Sequence, residues 1–196
     1  MEEKSLLVDT RRARLRPVPL TAVTLKDELW AARRARNLAV TLPSQYQLLE
    51  ETGRIDNFRR AAGQSEQPFR GRVYNDSDVY KWLEAASWML ATDKAPALAE
   101  MVATVVAAIS AAQAEDGYLN TYYTFERTDD RWANLQDHHE LYCAGHLIQA
   151  AIAHHRATGE ERLLNVARRF ADLICETFGE ANGQRAGVPG HPEIEM

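Results

Sequence analysis

Long apolar runs are missing from this chain: nowhere do the roughly 18 to 20 apolar residues that a membrane-spanning helix requires follow one another. A secretory signal is missing too, because the opening MEEKSLLVDTRRARLR begins with acids and carries only a three-residue apolar stretch. Cysteine is scarce. Cys143 and Cys175 both fall inside helical patterns, with no metal-type spacing between them, which predicts a reduced, cytoplasmic setting. An excess of positive charge is lacking as well. The 28 acidic and 23 basic residues are well mixed and leave a net charge of -5, which argues against nucleic-acid binding and predicts ordinary solubility.

What is present is ample material for a core, 45% hydrophobic residues in a chain of 196. Residues 1–12 read as a loose lead, and the stretch from Ala13 to Leu25 mixes prolines with alternating apolar residues. That pattern suits a short extended segment, with one strand or none. The spacing predicts helix from Asp27 to Glu51, divided by Pro43. Arg33, Arg34 and Arg36 lie close together, as on a solvated helical face. From Gly53 to Arg72 little periodicity remains, and a loop is expected.

Two helical hairpins follow. The first opens at Ser77, a capping residue, with a buried stripe of Val79, Leu83, Ala86 and Leu90. It returns through a helix begun by Pro96, with Leu98, Val102, Val105 and Ile109 on one face. A loop with an Asp116-Gly117 turn and the aromatic residues Tyr118, Tyr122, Tyr123 and Trp132 leads to the second. Its first helix, read from Gln136 to Gly159, has no solvated face, so it belongs inside. The next, Glu160 to Phe178, is cleanly two-faced. A weak repeat of 66 residues relates Ala91-Thr92-Asp93 and Leu98 to Ala157-Thr158-Gly159 and Leu164. Hairpins of inner and outer helices stack into an open solenoid or close into an α/α toroid. Loops rich in aromatic and polar residues favour the toroid. The sequence ends in GHPEIEM, read as the first turn of a further inner helix cut short.

Four ordered motifs, DSDVYKWLEA (Asp76 to Ala85), DGYLNTYY (Asp116 to Tyr123), HELYCAGHLIQAAIAHHRATG (His139 to Gly159) and GHPEIE (Gly190 to Glu195), resemble glycoside hydrolase family 127, the β-L-arabinofuranosidase-like enzymes. The resemblance implies an all-α chain forming part of an (α/α)6 barrel, with residues 1–20 as a lead and 21–196 as the N-terminal portion of an apparently truncated catalytic domain. It further implies removal of terminal β-L-arabinofuranosyl residues from oligosaccharides with retention. The family's zinc-bound cysteine nucleophile and glutamate acid/base are implied to lie C-terminal to anything in this chain, so no cofactor is expected here and the chain alone is expected to be inactive. By motif position, Gln45, His139 and His191 match the family's sugar-contacting residues. Cys143 matches the HELYC cysteine, which is neither nucleophile nor ligand in that family.

The residues themselves suggest other chemistry. His139, Cys143 and His146 at i, i+4 and i+7 form a conceivable zinc site, but half-buried His and Cys on an inner helix are more often core residues. Glu140 with Glu193, or Asp78 with Glu84, are conceivable acid/base pairs whose separation in space the sequence leaves open. The tyrosines and Trp132 suit a sugar platform or plain packing. A second functional class is a non-catalytic carbohydrate-binding or helical interaction module. A cut barrel, by contrast, is expected to self-associate through its exposed edge.

Overall fold

The computed structural model describes residue 15 and residues 18–195, and the regular structure among them is helical. The loose lead of residues 1–12 lies outside the described residues. Of the extended segment, Pro19 and Val23 have extended backbone on either side of a 3-10 turn at Leu20–Ala22, and no strand forms among its described residues. No helix among the described residues is long and apolar enough to cross a membrane.

Helix α1 (Glu28–Arg36) starts where the Asp27 carboxylate accepts the Trp30 N–H at 2.6 Å. It has no buried residue of its own, and Arg34 ties it to Thr92 and Asp93 at the tip of the first hairpin. Pro43 does not divide the helix as its position suggested. A π turn at Asn37–Thr41 carries α1 directly into α2 (Leu42–Glu51), with Pro43 in the first turn of α2. In a regular helix the proline ring meets the carbonyl four residues back and offers that carbonyl no donor; a widened turn just before the ring relieves both defects.

The expected loop after Gly53 is corrected in its first half, which is helix α3 (Arg54–Ala61). Ile55 and Phe58 sit one turn apart and are wholly buried, which is enough to hold a two-turn helix whose remaining residues are charged and polar. The Asn57 side chain then fastens the true loop, donating to the Arg70 carbonyl at 2.9 Å and accepting its N–H at 3.0 Å.

Helices α4 (Asp76–Leu90) and α5 (Pro96–Ala112) form the first hairpin. α7 (Glu140–Thr158) and α8 (Arg162–Thr177) form the second. α4 and α7 pack most extensively against each other, α5 and α8 flank them, and α3 closes on α5. The inner pair approaches closely because α7 presents alanines, with Ala144, Ala150 and Ala151 fully buried beside Leu147. Leu83, Phe58 and Leu163 are likewise fully buried, each stabilising the fold by about 1.5–3 kcal/mol. Ser77 is not the cap it was expected to be: Asn75 holds that position, while the buried Ser77 hydroxyl donates to the Tyr74 carbonyl at 2.8 Å and accepts from Lys81 at 3.2 Å. Pro96 opens α5 as its sequence position predicted.

Candidate functional site

The helix expected to run unbroken from Gln136 is interrupted at one residue. A single turn, α6 (Leu135–His138), is capped by Asn134, whose side chain accepts the Asp137 N–H at 3.0 Å. His139 then adopts a left-handed backbone, φ 60° and ψ 28°, before α7 begins. For a residue with a Cβ that conformation costs on the order of 1 kcal/mol, so the surroundings must hold it.

Glu140 supplies the hold. Its fully buried carboxylate accepts the Tyr118 hydroxyl and the Trp132 N–H, the latter at 2.9 and 3.1 Å to its two oxygens. Trp132 is itself left-handed, φ 64°. One side chain at the head of α7, next to the break, thus secures the preceding loop. Burial pushes the Glu140 carboxyl up to about 7, against the opposing pull of those donors. Asp76, at the head of α4, does the same for DGYLNTYY: it accepts the Thr121 N–H at 2.7 Å and the Thr121 hydroxyl at 2.5 Å, and burial raises it to about 6. Sequence reasoning missed Asp76, whose signal was an acid in a first helical turn preceding a wholly apolar stripe.

The break turns the His139 imidazole into a cluster of rings. His191 meets it nearly edge-on, ring centroids 4.5 Å apart and planes at 86°, with the two Nε2 atoms 3.3 Å apart. Such a pair hydrogen-bonds only when one nitrogen carries the proton. Tyr74 and Tyr142 flank His139 at 5.4 and 5.5 Å. Burial first, and the neighbouring His191 second, lower the proton affinity of His139, so it is neutral near pH 7 with its Nδ1 buried and unpartnered. His191 reaches this place because its backbone is pressed onto α6 and α7 at two glycines. A Cβ at Gly190 would strike the Gln136 carbonyl, and one at Gly145 would strike the Glu193 carbonyl. The 3-10 turn Pro192–Glu195 therefore lies across α7, in place of the α-helical start read from the sequence.

Of the three sugar-contact candidates, His139 and His191 are brought together. Gln45 stands exposed on α2, which packs against α4 where Trp82 donates to the Leu42 carbonyl at 2.9 Å. No hydrogen bond among the described residues joins Gln45 to either histidine.

The remaining candidates divide by what they touch. Tyr118 and Tyr123 are buried and Trp132 packs on Tyr118 and Phe170, so these rings join the loop to the core. Tyr122 stands edge-on to Phe69 and Tyr123. Cys143 is buried, its thiol pushed well up by desolvation and directed at the Tyr74 carbonyl, 3.6 Å away. It does not converge with His139 and His146, and no three His, Cys, Asp or Glu side chains among the described residues converge on a point that would hold a metal ion. The donor set present does not fit the family's zinc. Asp78 is engaged through Oδ2 by Asn75 and Arg54, and Glu140 is engaged by the loop.

The chain matches the family model described as the β-L-arabinofuranosidase GH127 catalytic domain over residues 22–196. It is 34% identical over 197 aligned positions to the non-reducing end β-L-arabinofuranosidase of Bifidobacterium longum subsp. longum, covering 89% of this chain and 30% of that protein. Its fold superposes on a GH127 β-L-arabinofuranosidase from Geobacillus stearothermophilus T6 with a TM-score of 0.86 and 45% identity, covering 88% of this chain and 28% of that one. A second solved structure, a GH127 β-arabinofuranosidase, gives a TM-score of 0.82 and 36% identity, with 89% and 29% covered. The chain thus spans less than a third of the length of these relatives. With a family model matched over residues 22–196 and relatives similar in both sequence and fold, the chain belongs to the GH127 β-L-arabinofuranosidase catalytic-domain family.

Proposed function

We propose that this chain forms the N-terminal part of an (α/α)6 glycosidase domain and holds one wall of the pocket for a terminal β-L-arabinofuranosyl residue of an oligosaccharide. The observation that carries the reading is the His139–His191 pair, fixed by a buried carboxylate and two close backbone approaches. Neutral imidazoles offer sugar hydroxyls one donor and one acceptor each, on rigid elements. Gln45 serves as a third contact in the same reading, approached from α2. None of these groups is a nucleophile. In this reading bond cleavage with retention belongs to parts of the family's catalytic domain outside this chain. No residue of this chain is assigned to that step.

The setting that suits the two free cysteines, one buried and one exposed, is the reduced cytoplasm. The purified chain is expected to bind methyl β-L-arabinofuranoside weakly, to lose that binding in His139→Ala and His191→Ala, and to leave 4-nitrophenyl β-L-arabinofuranoside intact. Hydrolysis at enzyme-like rates would reject the division of labour. Binding that survives both substitutions would reject the site and favour a helical interaction module.

A further inference from the structure

The face of α7 that carries His139 continues at Tyr142 and His146, three and then four residues on. Tyr142 joins two imidazoles: its ring centroid lies 5.1 Å from that of His191 and 4.6 Å from that of His146. Lys81, reaching over from α4, donates to the Tyr142 hydroxyl at 2.5 Å and lies 4.7 Å from the ring centroid, so this platform is held from both sides of the inner helix pair.

Beyond the platform the polar groups are left open. Both ring nitrogens of His146 are buried without a hydrogen-bond partner, and so is Oε2 of Glu193. Gln149, one turn on, stands beside His146. Glu193 arrives at this spot through the close approach at Gly145, the residue preceding His146. Buried polar atoms are nearly always satisfied in folded proteins, so three open ones beside the His139–Tyr142–His191 ring cluster point to a bound partner.

We infer that His146 and Glu193 form a further part of the sugar site, binding neighbouring hydroxyls of the same polyol ligand. The carboxylate accepts from hydroxyls, and the imidazole donates at one nitrogen and accepts at the other. Charge selects the ligand class. An anion would face Glu193 and a free cation would face Lys81, while a neutral polyol meets both without penalty. Desolvation, with Lys81 second, keeps His146 uncharged near pH 7, which leaves its second nitrogen available as an acceptor. The inference rests on the reading of His139 and His191 as sugar contacts.

The test is a titration of the full chain, labelled with nitrogen-15 in its histidine rings, against methyl β-L-arabinofuranoside. The ring signals of His139, His191 and His146 are expected to move with one common half-saturation point, while His155, bonded through Nδ1 to the Glu160 carbonyl at the far end of α7, stays still. His146→Gln and Glu193→Gln are each expected to weaken binding by roughly tenfold, the loss that goes with one hydrogen bond. A thermal melt of each variant confirms that it folds, and if one fails the other carries the comparison. Movement of His139 and His191 with His146 unmoved would overturn the inference and leave the proposed function standing. No movement at any of the three would overturn both.

Discussion

At the scale of the residue, the decisive groups are two buried acids that no solvent-facing chemistry requires. Asp76 and Glu140 head the two inner helices and bind the intervening loop, so each exchanges hydration for two fixed donors. Burial outweighs those donors and raises both groups, Asp76 from 3.8 to about 6 and Glu140 from 4.5 to about 7. A carboxyl raised in the folded state favours folding most below its unfolded value, and that advantage is lost as pH climbs through the folded value. The two acids therefore erode stability between about pH 4 and pH 7, each by on the order of 3 kcal/mol. His139, His146 and His154, all lowered by burial, act in the opposite sense, because their contribution is present above 6.5 and lost on acidification. Asp76→Asn is expected to lower stability near pH 4 through the lost acceptor and to flatten the decline between pH 4 and 6. Urea unfolding at half-unit steps of pH checks this, and a slope equal to that of the parent chain would refute it.

At the scale of the element, α7 is the helix on which the candidate site is mounted, and its peculiarities are places where a neighbour needs room. Gly145 is the clearest. Its φ is ordinary, so the residue is required for space, to let the Glu193–Ile194 backbone lie against the helix. Gly145→Ala places a methyl against main chain, which cannot swing aside as a side chain would. The expected cost is about 1–3 kcal/mol in denaturant unfolding, together with a changed ring environment at His191. Unaltered histidine resonances and unaltered stability would show that the Pro192–Glu195 turn is not held there. The run from α1 through the π turn into α2 makes a related point. Pro43 was visible in the sequence as a break, yet the chain accommodates it by widening the preceding turn, because α2 is held down by Leu42 and Leu49 in the core.

At the scale of the whole molecule, two hairpins share one core, but α1 and α2 leave apolar side chains in water, Trp30 at 56% exposed, Leu29 at 55% and Leu48 at 53%. Concentration-dependent self-association is expected through that edge. Trp30→Glu is expected to shift the chain toward monomer in sedimentation velocity at equal loading, and an unchanged distribution would place the contact elsewhere. Much of this architecture was legible from local pattern. The 3.6-residue periodicity of α4, α5 and α8, Pro96 at a helix start, Gly159 at a helix end and the all-round apolarity of α7 depend on residues within a turn or two of one another. Helix α3 escaped because its signal is two residues, Ile55 and Phe58, among charged and polar neighbours. The left-handed break at His139 escaped because Glu140, which stabilises it, draws its partners from Tyr118 and Trp132, far back in the chain. By itself, then, the sequence determined helices, their order and their buried faces, since these follow from the spacing of apolar side chains along the backbone. Only the tertiary structure decided that His139 turns toward His191. That outcome depends on long-range carboxylate hydrogen bonds and on the room left at two glycines, which no local pattern records.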